Sequence, residues 1–348
     1  MTLSPKVSVI ILNYNGARFI QHCLDTVFAS HYPNFEVIIA DNCSTDSSFD
    51  LIETYNNNEQ RLKCVRFSQN WGFACGNNRI AEISLGRYLM FLNMDTEVDE
   101  NWLEQIVNIF ESDEHVGIVQ SRIRQMQAPR ILQSAGYYMD WLGIIHVRGE
   151  GEEERGQYNL VDEIFGATGA AIAVRADLFK EIGGFDNDYF CYFEETDLCW
   201  RTWLMGYTVV FAPLSIVYHY GGGGSDHTIN SKHKNIYLFF RNRMATFIKV
   251  LELPILFWFL PIHIVALAIY GVMVLIQLRE SHILSCLIKG ILWNARHLGK
   301  TLSKRKTVQK CKLISNWSLM KKGIIQTPTV ALLTHKREIE ISNLNHRN

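Results

Sequence analysis

The chain has 348 residues, 48% of them hydrophobic, and a formal net charge of −1 at pH 7, enough for one large core or two modest ones and incompatible with a disordered tail or a mini-protein. The charge is unevenly placed: fourteen Lys or Arg against three Glu give residues 279–348 a charge of +11, leaving −12 for residues 1–278. A basic tail beside an apolar segment points to anionic lipid rather than nucleic acid.

Residues 1–6 are too short and polar for a signal peptide. The eight cysteines show no C-x-x-C pairing, so reduced thiols in a cytosolic domain are expected. Over the first 120 residues short β-branched apolar runs alternate with longer amphipathic ones, the pattern of βαβ units around a parallel sheet. Strands are expected at 7–12, 36–40, 62–67, 88–92 and 116–119, with helices at 18–29, 47–55, 75–84 and 102–110. Right-handed crossovers put the C-terminal ends of the strands on one rim, so Asn13, Asp41, Asn70 and residues 93–95 should meet along one edge. A charged stretch at 149–156 precedes a second block, with an apolar run at 165–174, a helix at 176–182 and a turn at 183–186. Acids among aromatics at 188–201 and strand character at 208–220 follow, and the glycines 221–224 read as a flexible loop.

Residues 253–278 contain no Asp, Glu, Lys or Arg, a length that can cross a bilayer. A single span would carry the +11 tail to the side opposite the rest of the chain, against the positive-inside tendency. The next apolar patch, 283–293, is short and contains Lys289, a poor returning span. A re-entrant or in-plane membrane segment is therefore expected. The alternative is a buried helical hairpin in a soluble domain.

Several positions carry chemistry. The apolar strand 88–92 stops at Asn93, Met94 and Asp95; an acid at a strand's C-terminal lip can hold a divalent cation that carries a diphosphate. The competing reading is a strand followed by a helix cap at Asp99 or Asn101. Asp41 ends the second strand and can accept from a base or ribose, while Ser44, Thr45 or Asp46 caps the next helix. The turn after the first strand holds Asn13, Asn15 and a single glycine, which excludes a G-x-G-x-x-G dinucleotide site. Asn70, Gly72 and Asn78 lie in a glycine and asparagine loop that can approach a ribose or phosphate; the plain alternative is a capped loop. Glu194, Glu195 and Asp197 stand among aromatic residues, where burial raises carboxyl pKa values and makes one a usable base. On a helix starting near 194, Glu194 and Asp197 share a face and Glu195 points elsewhere; the plain alternative is a set of acids favoured by the helix dipole. His219 at a strand end can complete a metal site with Asp95 or touch a phosphate, although a lone histidine is more often structural. Arg241 and Arg243, just before the apolar segment, read as membrane-flanking charges, with phosphate binding as the alternative.

Taken in order, segments 7–15, 41–46, 70–78, 92–96, 183–186 and 193–201 resemble the inverting family 2 glycosyltransferases of GT-A fold, especially the rhamnosyltransferase-like branch that builds bacterial cell-surface polysaccharide. The resemblance covers residues 5–245. It implies an α/β nucleotide-diphospho-sugar transferase fold with a Rossmann-like, mostly parallel sheet, followed by a C-terminal apolar helical membrane-associated segment. The catalytic domain would be residues 1–245 (nucleotide-sugar half 1–120, acceptor half 121–245), the membrane segment 246–300 and a basic tail 301–348. By resemblance Asp41 contacts the base, and Asn13, Asn15, Asn70, Gly72, Asn78 and Asn93 belong to the nucleotide side. Asp95 and His219 would hold Mg²⁺ or Mn²⁺, Glu195 would be the general base, and Glu194 and Asp197 would position the acceptor or tune that base.

Two departures stand out: Asn93 replaces the first acid of the family's metal motif, and Glu195 stands where many relatives carry Asp. The implied donor is a dTDP-sugar or UDP-sugar. The implied acceptor is a saccharide or lipid-linked saccharide at the cytoplasmic face of the membrane, with no nucleic-acid partner. A non-catalytic, membrane-associated nucleotide-sugar binder is the competing reading, supported by Asn93. A nucleotidyltransferase would want a basic glycine-rich phosphate loop, and none is visible.

Overall fold

The computed structural model describes residues 6–221, 229–278 and 282–327. The first half runs β1 (Val7–Asn13), α1 (Ile20–Phe28), β2 (Phe35–Asp41), α2 (Ser48–Asn56), β3 (Leu62–Arg66), α3 (Gly72–Ala81) and β4 (Tyr88–Asn93). β1 pairs in parallel with both β2 and β4, and β2 with β3. Side chains alternate across the sheet: Ile10 and Ile38 enter one core, while Val9, Ile11, Val37 and Ile39 enter the other. Because both faces are covered, β2 is buried at every position, which is why it reads as a continuous apolar run. α1 covers one face with Ile20, Cys23, Leu24 and Val27, a single helical stripe.

The chain continues with β5 (Thr96–Val98), α4 (Trp102–Ser112), β6 (Val116–Gln125), β7 (Ala128–Ser134), β8 (Tyr137–Asp140), β9 (Ile145–Val147) and β10 (Asp162–Glu163). Then come β11 (Ala171–Arg175), α5 (Ala176–Glu181), α6 (Glu194–Leu204) and β12 (Thr208–His219). The large sheet has the order β10-β12-β6-β11-β4-β1-β2-β3, with β5 on β12 and β7 on β6. It is mixed, which corrects the expectation of a mostly parallel sheet. β11 runs antiparallel between β4 and β6, and β5, β7 and β10 are also antiparallel to their partners. An apolar run carries no sign of its direction; the excursion through β7 to β10 brings the chain back from the opposite end of the sheet. Of the expected apolar run at 165–174, only the last four residues belong to β11; the part before them is loop. β1, β2, β3, β4, β6 and β12 still point the same way, so their C-terminal ends form one rim.

The C-terminal part is helical: α7 (Ile229–Val250), α8 (Leu253–Leu278), α9 (His282–Arg296), α10 (Leu298–Cys311) and α11 (Asn316–Lys322), then β13 (Ile325–Gln326), which joins β8 and β9 in a small second sheet. α7 runs unbroken through residue 245, the expected domain limit. Residues 301–327 pack back on the body rather than trailing from it. Lys304 is paired with both Asp186 and Asp188, Lys300 with Asp188, and Lys312 with Glu252 at 2.7 Å. Trp200 Nε1 donates to Asn316 Oδ1 at 2.6 Å. Part of the basic excess is thus matched by the acids of the first 278 residues. α8 matches the expected apolar run end to end, but it lies on the surface and is not the core of a buried hairpin. The expected glycine loop at 221–224, beyond its first residue, and the tail beyond 327 fall outside the described residues.

Candidate active site

A cavity of about 510 Å³ opens at the rim. Tyr14, Asn42, Asn70, Gly72 and Phe73 form one wall, and Asn93, Asp95 and His219 form the floor. Glu194 and Glu195 stand beside Phe190 and Tyr192, and Gln133, Ser134, Val147 and Glu150 close the remaining side.

The first wall is built by an asparagine relay. Asn42 donates to Asn70 Oδ1 at 3.0 Å and accepts from the Trp71 amide at 2.9 Å, and Asn70 Oδ1 accepts from the Gly72 amide at 2.8 Å. Gly72 is required here: φ is +72°, and a Cβ would lie 2.3 Å from the Phe190 carbonyl oxygen. That close approach lets the Phe73 amide donate to Phe190 O at 2.6 Å, which pins α3 to the segment before α6.

Asp41, Asn13 and Asn15 stand behind this wall rather than in it. Asp41 is fully buried, accepting from Asn13 Nδ2 at 2.9 Å and the Ser44 amide at 3.1 Å. Asn13 Nδ2 also reaches Ser48 at 2.9 Å, and Asn15 Oδ1 accepts from the Thr45 amide at 2.8 Å. These three shape the turn, and Asn42, one residue past Asp41, presents its amide to the cavity. Asp46, not Ser44 or Thr45, accepts the amide of Ser48 at the start of α2. Asn78 lies inside α3 and outside the cavity lining. Its amide donates to Phe185 O at 2.8 Å and Asn187 Oδ1 at 2.7 Å and accepts from the Phe185 amide, so it braces the turn after α5.

On the floor, the short β5 follows Asp95, so the acid does not lead directly into α4. Asn101, the residue before α4, makes no side-chain cap, and Asp99 accepts from the Asn101 amide at 3.0 Å. Asp95 is 3% exposed, with Oδ1 3.2 Å from His219 Nε2. Asn93 Nδ2 is 3.3 Å from the same nitrogen, and His219 Nδ1 lies 3.0 Å from Gln133 Oε1. Gln133 fits as the acceptor of an Nδ1–H, which turns Nε2 toward Asp95. Two acceptors at this spacing require a proton or a cation between them, and the spacing is close to the ~3 Å edge of an octahedral shell with bonds of about 2.1 Å. The residues therefore fit Mg²⁺ or Mn²⁺, with Asp95 and His219 as protein ligands. The pair is not a complete protein shell: among the described residues no group of three His, Cys, Asp or Glu gathers for a metal.

The acids reach the cavity through a strained turn. Tyr192 and Phe193 have φ of +72° and +73°, sparsely populated for such side chains. Asn242 of α7, fully buried, donates to the carbonyls of Cys191 at 3.0 Å and Tyr192 at 2.7 Å and holds them there. α6 then begins with both Glu194 and Glu195 at the cavity. Burial pushes the Glu195 carboxyl up to about 7. Burial, and then the charge of Glu195, hold Glu194 well above the carboxylate range, and Glu194 Oε2 has no hydrogen-bond partner among the described residues. The helix dipole favours ionised acids at this end, but desolvation outweighs it. Asp197 departs from its expected place. It is fully buried and outside the cavity lining, bonded to Arg201 Nε at 2.7 Å and 2.7 Å from Lys249 Nζ. Helical spacing sets 197 one turn deeper than 194, where those two cations hold it, while 194 and 195 stand at the open end of α6.

Sequence reasoning left Asn42, Gln133, Glu150 and Asn242 unnoticed. Asn42 was legible as the neighbour of Asp41 at a strand end; the other three come from strands, loops and a helix remote in sequence and carry no motif. The eight cysteines are all unpaired, as expected for reduced thiols.

The geometry can be set against known proteins. Residues 8–183 match the profile of Glycosyl transferase family 2. The putative teichuronic acid biosynthesis glycosyltransferase TuaG of Bacillus subtilis is 35% identical over 29% of this chain and 40% of its own length. The O-antigen biosynthesis protein RfbC of Myxococcus xanthus is 26% identical over 62% of this chain and 17% of its own length. The alignment thus spans 40% or less of the length of these curated relatives. Among solved structures, GalNAc-T7 with UDP, GalNAc and Mn²⁺ superposes with a TM-score of 0.58 at 16% identity, over 73% of this chain and 49% of that one. Residues 1–349 of S. aureus TarS with UDP-GlcNAc superpose with a TM-score of 0.54 at 18% identity, over 87% of this chain and 90% of that one. The mixed-sheet α/β architecture is therefore GT-A-like, and the chain belongs to glycosyl transferase family 2.

Proposed function

We propose that this chain is an inverting glycosyltransferase that moves a sugar from a nucleoside diphosphate sugar to a hydroxyl of a saccharide acceptor in cell-surface polysaccharide synthesis. The observation that carries the reading is one cavity holding a metal-type pair, Asp95 and His219, together with a carboxylate raised to about 7, Glu195. TuaG and RfbC, named for teichuronic acid and O-antigen synthesis, give the polysaccharide context. The donor is read as dTDP-rhamnose or a UDP-sugar, consistent with the rhamnosyltransferase-like segments.

Asn42, Asn70 and Tyr14 bind the nucleoside, with Asn13, Asn15 and Asp41 shaping their turn. Asp95 and His219, oriented by Gln133 and flanked by Asn93, would hold Mg²⁺ or Mn²⁺, which when bound stabilises the charge on the departing diphosphate. Glu195 takes the proton of the acceptor hydroxyl as that oxygen bonds to the anomeric carbon. The bond from that carbon to the diphosphate oxygen breaks on the opposite face, its electron pair leaving with the nucleoside diphosphate. The acceptor enters past Ser134, Val147 and Glu150, as a lipid-linked saccharide at the cytoplasmic face of the membrane.

Glu195→Gln should lower transfer from a nucleotide sugar by about 10²–10⁴-fold while nucleoside diphosphate affinity, measured calorimetrically with Mn²⁺, stays within about twofold. Unchanged turnover would remove Glu195 from the role of base. Asn93 in place of an acid favours a second reading, a non-catalytic nucleotide-sugar-binding partner of an assembly complex. Donor binding with neither transfer nor hydrolysis by the unaltered chain, across UDP, dTDP and GDP sugars with suitable acceptors, would select it.

A further inference from the structure

α8 has two unlike sides. Leu260, His263, Ile264 and Leu267 face α7 and α9. Phe257, Trp258, Ile262, Val265, Ile269 and Ile276 turn away, Phe257 86% exposed and Ile276 73%. The outward side is an apolar band along a helix about 39 Å long, well beyond the patch size usual on a soluble surface.

A second apolar element stands beside it. The turn between β8 and β9, residues 141–144, exposes Trp141, Leu142 and Ile144, yet it is braced. Asp140 Oδ1 accepts from the amides of Leu142 and Ile144 at 2.9 Å each, Arg243 donates to Gly143 O, and Leu142 O lies 3.2 Å from His263 Nδ1 on α8. A rigid turn that presents three large apolar side chains outward is built for a partner surface. Cations border the band: α9 exposes Lys289 and Arg296 near Ile288 and Leu292, and Lys306 and Leu302 of α10 line an open groove with Leu253 and Pro254 at the start of α8.

The connections decide how this surface is used. Glu252, just before α8, is bonded to Lys312 and Asn316, and beyond α8, Asn294 of α9 donates to Arg241 O of α7 at 3.0 Å. Both ends of α8 are fastened to one body, so a crossing helix would strand α9 and α10 on the far side and break these contacts. The combination of apolar face and cationic border matches an interfacial helix.

We propose that α8 and the 141–144 turn seat together in one leaflet of an anionic bilayer without crossing it, with Lys289, Arg296 and Lys306 at the headgroup phosphates. The same hairpin joins this surface to the cavity, since β9 ends at Val147 in the cavity wall. A saccharide on a lipid anchor therefore approaches from the 141–144 side; this last step rests on the transferase reading, the docking does not.

The full chain should float with vesicles of phosphatidylethanolamine and phosphatidylglycerol, and about tenfold less with pure phosphatidylcholine. Combined Trp141→Ser, Leu142→Ser and Ile144→Ser should reduce flotation by about tenfold or more, with calorimetric affinity for UDP or dTDP unchanged. A membrane-impermeant maleimide added outside the vesicles should label Cys311, exposed at the end of α10, in the bound protein. Protection of Cys311 would overturn the proposal in favour of a span. Equal flotation on both vesicle types, or of the triple variant, would overturn it too. So would a dimer in solution that neither vesicle type dissociates, which would assign the face to a second copy. Protein that floats as described but transfers no sugar would overturn the transferase reading and leave the docking standing.

Discussion

Glu194 and Glu195 show how environment sets chemistry at the residue scale. Two carboxylates in one desolvated corner cannot both ionise easily, so the pair titrates as a unit. A base works in its ionised form, so kcat/KM should fall about tenfold per pH unit below about 7 and level off above it. Glu194 is held protonated by burial and by the charge of Glu195, so it carries no charge as Glu195 ionises, and Glu194→Gln should leave the acidic limb of the pH–rate profile in place; a limb moved to lower pH would mean that Glu194 is charged when Glu195 titrates. For stability the sign is opposite. A carboxyl raised in the folded state contributes most below the ordinary range and loses that contribution as pH rises through its folded value. The pair thus opposes folding at the pH where the proposed base, Glu195, is charged. The acid cluster was legible in the sequence because three acids among aromatics are uncommon. Which of them face the cavity was not, because helical spacing groups Glu194 with Asp197, whereas Arg201 and Lys249 hold Asp197 one turn deeper and Glu194 and Glu195 stand at the open end of α6.

At the scale of elements, α6 is aimed by a helix far away in the chain. Asn242 of α7 satisfies the carbonyls of the strained turn, and Asn242→Ala would remove that donor, a loss of about 0.5–1.5 kcal/mol. The urea midpoint should fall, and kcat should fall with it because Glu195 loses its fixed position; a stability loss with unchanged kcat would count against this positioning role. Gly72 plays the complementary part on α3, where a side chain would push the helix off Phe190. The first four strands and the four helices of the first 120 residues were legible to within a few residues because each buries a single stripe or a continuous run, whereas β5 was not expected and β6 runs on to Gln125, past its expected end at 119. The direction of β11 was not, since strand polarity depends on where the connecting chain returns.

Across the whole molecule, a chain of buried charges joins the C-terminal helices to the site. Asp197 meets Lys249 at 2.7 Å, Lys249 meets Asp186 at 2.5 Å, and Asp186 shares Lys304 with Asp188. Burial would raise the Asp186 carboxyl, but the ammonium groups of Lys249 and Lys304 outweigh it and hold the carboxyl well below the usual carboxylate range. Its contribution is therefore full above that range and is lost as pH falls through the lowered value, so acid should loosen α10 from the body. Lys249→Met would leave Asp186 and Asp197 without their shared cation, a destabilisation of about 3–5 kcal/mol. Equilibrium denaturation at pH 7 measures it, and the deficit should shrink as pH falls below the usual carboxylate range and Asp186 protonates.

Local pattern was enough to indicate an α/β chain with its strand ends on one rim, an acid at a strand lip, an acid cluster and a 26-residue apolar helix, because periodicity, strand-end polarity and hydrophobic length are properties of neighbouring residues. Only the tertiary structure decided that Asn42 and not Asp41 faces the cavity, that Asp197 serves the charge network, and that the basic segment folds back to fasten both ends of α8. Each of these depends on which groups compete for the same buried partner, and that competition is settled by contacts between residues far apart in the chain.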